Sequence, residues 1–249
     1  MTISENTFLP EPISYIFDQL EKSNIFYWID AGTLLKGVRD KTILESSDID
    51  ISIHSAQVKD VLNALTCIEE RGYKVQYNGG NLMLEDLITI SLPFSVNKIT
   101  SIDIYIYHEK KSFFIRRSYH KPLKDSYFKY LFYLSKKISK CDKGKSSEKC
   151  KIRFIFSRFI FYFYELFGKT MWWMIPRQYF SDFSTLKIHS RVFRVPKLYK
   201  EYLCFRYGDN WSVPIERSEW FQDWNAGESK ILVSRRLFTL FSIKKYWIN

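Results

Sequence analysis

Residues Tyr27–Ile53 read YWIDAGTLLKGVRDKTILESSDIDISI. An apolar run ends in Asp30-Ala31-Gly32-Thr33. A short amphipathic segment follows, and then Ser47-Asp48-Ile49-Asp50-Ile51-Ser52-Ile53 alternates strictly. Alternation at period two marks a strand with one buried face. Ile49, Ile51 and Ile53 are therefore expected in a core, with Asp48 and Asp50 on the opposite face. Two carboxylates so placed repel each other unless a cation lies between them. Mg²⁺ suits that position, with Mn²⁺ as the alternative, because it takes oxygen ligands and also binds substrate phosphates. Upstream, Gly32-Thr33 closes a strand and opens a helix over Thr33–Arg39, and N–H groups at a helix start can hold a phosphate.

Each motif has a plainer reading. Asp-x-Asp on an exposed strand is often solvated surface, and Gly-Thr before a helix is often a turn and cap. Together and in this order they describe a nucleotidyltransferase-type site. A second alternating stretch adds to it. In Ser101-Ile-Asp-Ile-Tyr-Ile-Tyr107 the isoleucines face one way, while Ser101, Asp103, Tyr105 and Tyr107 face the other. If this strand neighbours the first, Asp103 becomes a third carboxylate that ligates metal or accepts the proton of an attacking hydroxyl.

Around these strands the pattern predicts a helix over Pro12–Asn24, with Ile13, Ile16, Phe17 and Leu20 on one face. It predicts a first strand over Ile25–Ile29 and a helix over Gln57–Gly72 that Gly72 ends. Asn78-Gly79-Gly80 joins strands Tyr73–Tyr77 and Leu82–Leu92 as a hairpin.

The 249 residues carry a net charge of +11, unevenly spread. Residues 1–109 have 8 Lys/Arg against 16 Asp/Glu, a balance of −8. Residues 110–177 have 18 against 4, a balance of +14, and residues 178–249 have 12 against 7. A basic middle attracts nucleic acid, an anionic membrane surface or a phosphorylated substrate. Cys141–Cys150 reads as a loop. KIRFIFSRFIFYFYELFGKTMWWM (151–174) reads as a buried helix or as one lying in a membrane interface. Its aromatics are too contiguous for a nucleic-acid surface, so nucleic acid is disfavoured as a partner. Four cysteines without a Cys-x-x-Cys pair argue against a zinc site and for a reducing compartment. MTISENTFLPEP has no signal-peptide pattern, and there is no 18-residue apolar run. A cytoplasmic location is expected, at the inner membrane face if the basic middle binds lipid.

Towards the carboxy end stands Val195-Pro196, then Tyr207-Gly208-Asp-Asn-Trp211-Ser-Val-Pro214. With these residues the chain resembles the LicD family, which includes fukutin and its relatives. Asp30, Gly32, Thr33, Leu34, Leu35, Gly37, Arg39, Asp48 and Asp50 match the family's first motif. Val195, Pro196, Tyr207, Gly208, Trp211 and Pro214 match its last. The likeness runs from about residue 25 to 225, with a poorly matched middle. Ala31 replaces a glycine and Lys36 is inserted before Gly37, so the helix start is expected to differ. Glu45-Ser46-Ser47 stands where choline-phosphate members have a longer acidic run with a Trp, which favours the fukutin-like pattern.

The resemblance implies an α+β fold, a nucleotidyltransferase-like mixed sheet flanked by helices, with a helical basic and aromatic-rich remainder. The division expected is 1–109 for the catalytic core and 110–249 for the remainder, whose Tyr-Gly-x-x-Trp-x-x-Pro segment packs on the core. It implies transfer of a phospho-alcohol, ribitol phosphate before phosphocholine, from a CDP-alcohol donor to a surface glycan or lipid-linked glycan, releasing CMP. Asp48, Asp50 and Asp103 would be the catalytic and metal-binding residues. Gly32, Thr33, Arg39, Tyr207 and Trp211 would bind substrate, although Tyr207-Gly208 and Trp211 also read as a structural turn with a core aromatic. Two alternatives stay open: nucleotide transfer to RNA, protein or a small molecule, and a non-catalytic membrane-associated scaffold.

Overall fold

The computed structural model describes residues 8–77, 85–118, 169–214 and 231–234. Helix α1 (Glu11–Lys22) opens behind Pro10 with Pro12 in its first turn, and buries Ile13, Ile16, Phe17 and Leu20 completely. Strand β1 (Tyr27–Ile29) leads into helix α2 (Ala31–Arg39) and strand β2 (Asp48–His54). After a single 3-10 turn come α3 (Val58–Ala64) and α4 (Thr66–Glu69), then β3 (Lys74–Tyr77), β4 (Leu87–Val96), β5 (Ile99–Glu109) and β6 (Phe113–Ser118).

The predicted single helix over Gln57–Gly72 is thus broken at Leu65. The Thr66 hydroxyl turns back to the carbonyls of Leu62 and Asn63, where it competes with the regular backbone ladder. Gly72 does end the segment, with φ +86°. Strands β3 and β4 pair antiparallel, as a hairpin requires, but Tyr77 stands opposite Ile88 and β4 opens at Leu87 rather than Leu82; residues 78–84 lie outside the described residues.

The sheet runs in the order β3-β4-β5-β2-β1, and β6 joins the far end of β5. It is mixed. β2 and β5 are parallel, with Asp50 opposite Asp103, while β1 on β2 and β4 on β5 are antiparallel. The alternating isoleucines decide this arrangement. Ile49, Ile51, Ile102 and Ile104 are fully buried, and Ile53 and Ile106 nearly or wholly so. Each contributes roughly 2 kcal/mol of apolar burial, and a one-residue slip would turn every one of them outward. The core side being apolar, the carboxylates are left on the other face.

Beyond β6, the described residues are richer in strand than the helical remainder the sequence suggested. Strand β7 (Lys169–Pro176) occupies the end of the stretch read as a helix. A contiguous apolar run does not separate helix from strand by periodicity, and Met171–Ile175 is rich in strand-favouring aromatics. The rest of that stretch (151–168) and the Cys141–Cys150 loop lie outside the described residues. Helix α5 (Arg177–Phe180) precedes the hairpin of β8 (Phe183–Ile188) and β9 (Arg191–Pro196), and helix α6 (Tyr199–Tyr207) follows it.

By compactness the described residues 8–77, 86–116 and 174–214 form one unit. This unit therefore includes α5, β8, β9 and α6 as well as the amino-terminal sheet. In the second unit, residues 169–172 of β7 pair antiparallel with β10 (Ile231–Ser234). Among the described residues no helix is long and apolar enough to cross a membrane.

Candidate active site

Asp48 and Asp50 leave β2 on the face opposite its isoleucines. Parallel pairing sets Asp103 of β5 directly beside Asp50. One oxygen from each of the three carboxylates lies within 4.8 Å of the others. The sequence put the three residues on polar faces, and the sheet brings them to one point.

The electrostatics of the cluster are those of crowded acids, with Asp50 buried and Asp48 and Asp103 half-buried. Burial, then the neighbouring charge of Asp48, pushes Asp50 up to about 7, against the pull of the Tyr105 hydrogen bond. Burial likewise pushes Asp103 up to about 6, opposed by a hydrogen bond with Thr89 and by Arg116. Asp103 Oδ1 is buried and accepts no hydrogen bond from any described residue. A buried carboxylate oxygen without a donor, on a residue grouped with two more carboxylates, fits a hard divalent cation, which would supply the missing positive charge.

The surrounding groups hold this arrangement. Asp48 Oδ1 accepts from the hydroxyls of Ser46 (3.4 Å) and Ser47 (3.1 Å). Asp50 is fixed at four atoms. Its Oδ2 accepts from Gly32 N–H at 3.0 Å and its Oδ1 from the Tyr105 hydroxyl at 2.8 Å. Its N–H donates to Thr33 Oγ1 at 2.7 Å, and its carbonyl accepts from Asp30 N–H at 3.1 Å. Here the geometry departs from the phosphate cradle expected of Gly32 and Thr33. Both turn towards Asp50, because α2 starts at Ala31 and carries them over the carboxylate-bearing strand. A Cβ on residue 32 would stand 3.2 Å from Asp50 Oδ2, so a glycine fits this approach.

Arg39 makes a two-pronged pair with its neighbour Asp40, at 2.7 and 2.8 Å. Gly208 ends α6 at φ +87° and donates to Cys204 O, and Trp211 N–H donates back to Gly208 O. Tyr207 and Trp211, both partly buried, pack against the core. The Tyr-Gly-x-x-Trp segment is thus a helix stop and turn with aromatics on the core.

The sequence reading assigned no role to Asp30, Ser52, Tyr202 or Arg206. Asp30 is fully buried and caps α2 through Ala31 N–H. It also accepts from Ser52 Oγ and Tyr202 Oη, both at 2.6 Å, with Arg206 Nη1 at 3.4 Å. Asp30 and Ser52 sit in the motifs already singled out. Nothing local in the chain points to Tyr202 or Arg206 as their partners.

A mixed sheet with an Asp-x-Asp strand, a third acid on its parallel neighbour and a helix head over the pair is the arrangement expected of a nucleotidyltransferase domain. Residues 24–137 match the LicD/FKTN/FKRP nucleotidyltransferase domain. An uncharacterized protein of Rickettsia prowazekii (strain Madrid E) is 33% identical over 46% of this chain and 38% of its own length. Another, from Rickettsia typhi (strain ATCC VR-144 / Wilmington), is 28% identical over 47% of this chain and 34% of its own. The matched region thus spans little more than a third of these relatives. A lincosamide antibiotic adenylyltransferase with lincomycin bound superposes with a TM-score of 0.41 and 14% identity, covering 88% of this chain and 98% of that one.

Proposed function

We propose that this chain transfers a phospho-alcohol, ribitol phosphate or a similar group, from a CDP-alcohol to a hydroxyl of a surface glycan or lipid-linked glycan. The observation that carries the reading is the convergence of Asp48, Asp50 and Asp103 beneath the head of α2. These three residues would hold Mg²⁺ or Mn²⁺. When bound, the ion supplies charge for the donor's diphosphate and a fixed position for it.

The chain's own groups then do the following. Asp103, beside Asp50 on the polar face of β5, orients the acceptor hydroxyl and takes its proton. The hydroxyl oxygen bonds to the phosphorus bearing the alcohol. The bond from that phosphorus to the bridging oxygen breaks, and CMP leaves with that oxygen. Asp50, held at both carboxylate oxygens, and Asp48, held by two serines, keep their geometry throughout. Phosphoryl transfer depends mainly on positioning and charge, so these groups suffice in kind. Residues 110–177, with a balance of +14, would bring the enzyme to an anionic membrane face where lipid-linked acceptors reside.

A screen of CDP-alcohols for CMP release, run beside labelled CTP and ATP with the same acceptors, tests the reading. It requires CMP release from a CDP-alcohol and no nucleotide transfer. Transfer of labelled nucleotide to the acceptor would replace it with a nucleotidyltransferase.

A further inference from the structure

We infer that Tyr105 is a positioning residue for the carboxylate cluster, itself held in place by Arg116. The inference rests on the metal-binding reading of Asp48, Asp50 and Asp103 and adds two residues to it. Tyr105 lies two positions after Asp103 on β5 and opposite Ser52 on β2, so it shares the face that carries the acids. Its hydroxyl donates to Asp50 Oδ1 at 2.8 Å. Gly32 N–H holds the other oxygen of the same carboxylate. Two neutral donors, one per oxygen, fix the plane of the Asp50 carboxylate and leave its negative charge available to a cation. A charged donor in either place would satisfy the same oxygen and compete with the ion.

Tyr105 in turn needs a fixed ring. The Arg116 guanidinium lies over it, 3.9 Å from the centroid, and Arg116 is itself only 3% exposed. A planar cation stacked on an aromatic face is a favourable and oriented contact. Arg116 thus sets the ring, the ring sets the hydroxyl, and the hydroxyl sets Asp50.

Outer groups that orient ligands typically alter metal affinity by about 10- to 100-fold when removed. Mn²⁺ binding to the full chain, read by electron paramagnetic resonance without substrate, tests this independently of turnover. Tyr105→Phe keeps the ring and the stack and removes only the hydroxyl, so it should bind Mn²⁺ at least about 10-fold more weakly than wild type. Arg116→Lys keeps the charge, loses the plane and should weaken binding in the same direction. Asp50→Asn should abolish it.

Tyr105→Phe binding as wild type does, while Asp50→Asn fails to bind, would overturn the inference and leave the metal site standing. Wild type failing to bind would overturn both. Circular dichroism checks the fold of each variant. Should Tyr105→Phe not fold, wild-type affinity in Arg116→Lys would overturn the inference in its place.

Discussion

The Tyr202 hydroxyl donates to Asp30 Oδ1 at 2.6 Å, joining α6 to the head of α2 across 172 residues of chain. Both groups are fully buried, and Arg206 Nη1 reaches the same hydroxyl at 2.8 Å. A hydrogen bond to a buried charged group contributes about 1.5–3 kcal/mol. Tyr202→Phe should therefore lower unfolding free energy by about 2 kcal/mol in urea titration. Asp30→Ala should lower it by more, roughly 3–5 kcal/mol, because it removes the cap of α2 and the buried acceptor of both Ser52 and Tyr202. A loss below about 0.5 kcal/mol for Tyr202→Phe would mean that this contact does not bind α6 to the sheet.

Ala31 takes the left-handed backbone that favours glycine, at φ +48°. An L-residue there costs roughly 1–2 kcal/mol, while a glycine loses about 0.5–1 kcal/mol more chain entropy on folding. Ala31→Gly should raise stability by about 0.5–1 kcal/mol on balance. Ala31→Val, branched at Cβ, should lower it. Thermal melts of both variants check the sign. A less stable glycine variant would contradict the strain.

Burial and the charge of Asp48 push Asp50 up to about 7 and Asp103 up to about 6 in the folded chain, well above an ordinary aspartate. A carboxyl with a raised folded pKa is protonated in the folded state while already ionised in the unfolded one. The folded state then binds more protons, so stability falls as pH rises from about 4 through about 7. Without divalent cations, wild type should lose stability over that window, and Asp50→Asn should lose less of it. Mg²⁺ added near pH 8 should restore wild type and not the variant. Denaturant titrations at pH 5 and 8, with and without Mg²⁺, supply the comparison. Parallel pH profiles for the two proteins would contradict the crowding of charge.

Peripheral attachment through residues 110–177 predicts salt-sensitive binding to anionic vesicles. Each basic residue near such a surface contributes roughly 1 kcal/mol, so even three or four would give measurable co-sedimentation. Neutral vesicles should leave the protein in the supernatant, and high salt should release it from anionic ones. Equal sedimentation with both lipids, or none with either, would contradict attachment.

Much of this fold was legible because strict alternation at Asp48–Ile53 and Ser101–Tyr107 fixes which face each side chain takes. It does not fix which strands are neighbours. The Asp50–Asp103 pairing depends on a parallel register formed after α3, α4, β3 and β4 have intervened. The tight β4–β5 hairpin was hidden because Asn97 and Lys98, at φ +49° and +78°, take the positions where glycine would announce a turn. In sequence Gly32 and Thr33 resemble a phosphate cradle because their backbone polarity is visible there, whereas the strand they face is not. Tyr202 and Arg206 lie too far along the chain for any local pattern to tie them to Asp30.

The measurement that bears most directly on the account is Mg²⁺-dependent CMP release from a panel of CDP-alcohols by wild type, Asp48→Asn, Asp50→Asn and Asp103→Asn, each shown to be folded. The cluster as a cation-holding catalytic centre predicts release by wild type that chelation stops and Mg²⁺ restores. It predicts a loss of at least about 10²-fold for Asp48→Asn and Asp50→Asn. Asp103→Asn should turn over slowly while still binding Mn²⁺ if the residue acts as the base, and bind it weakly if the residue is chiefly a ligand. Folded Asp48→Asn and Asp50→Asn proteins with near wild-type release, or release unaffected by chelation, would contradict it.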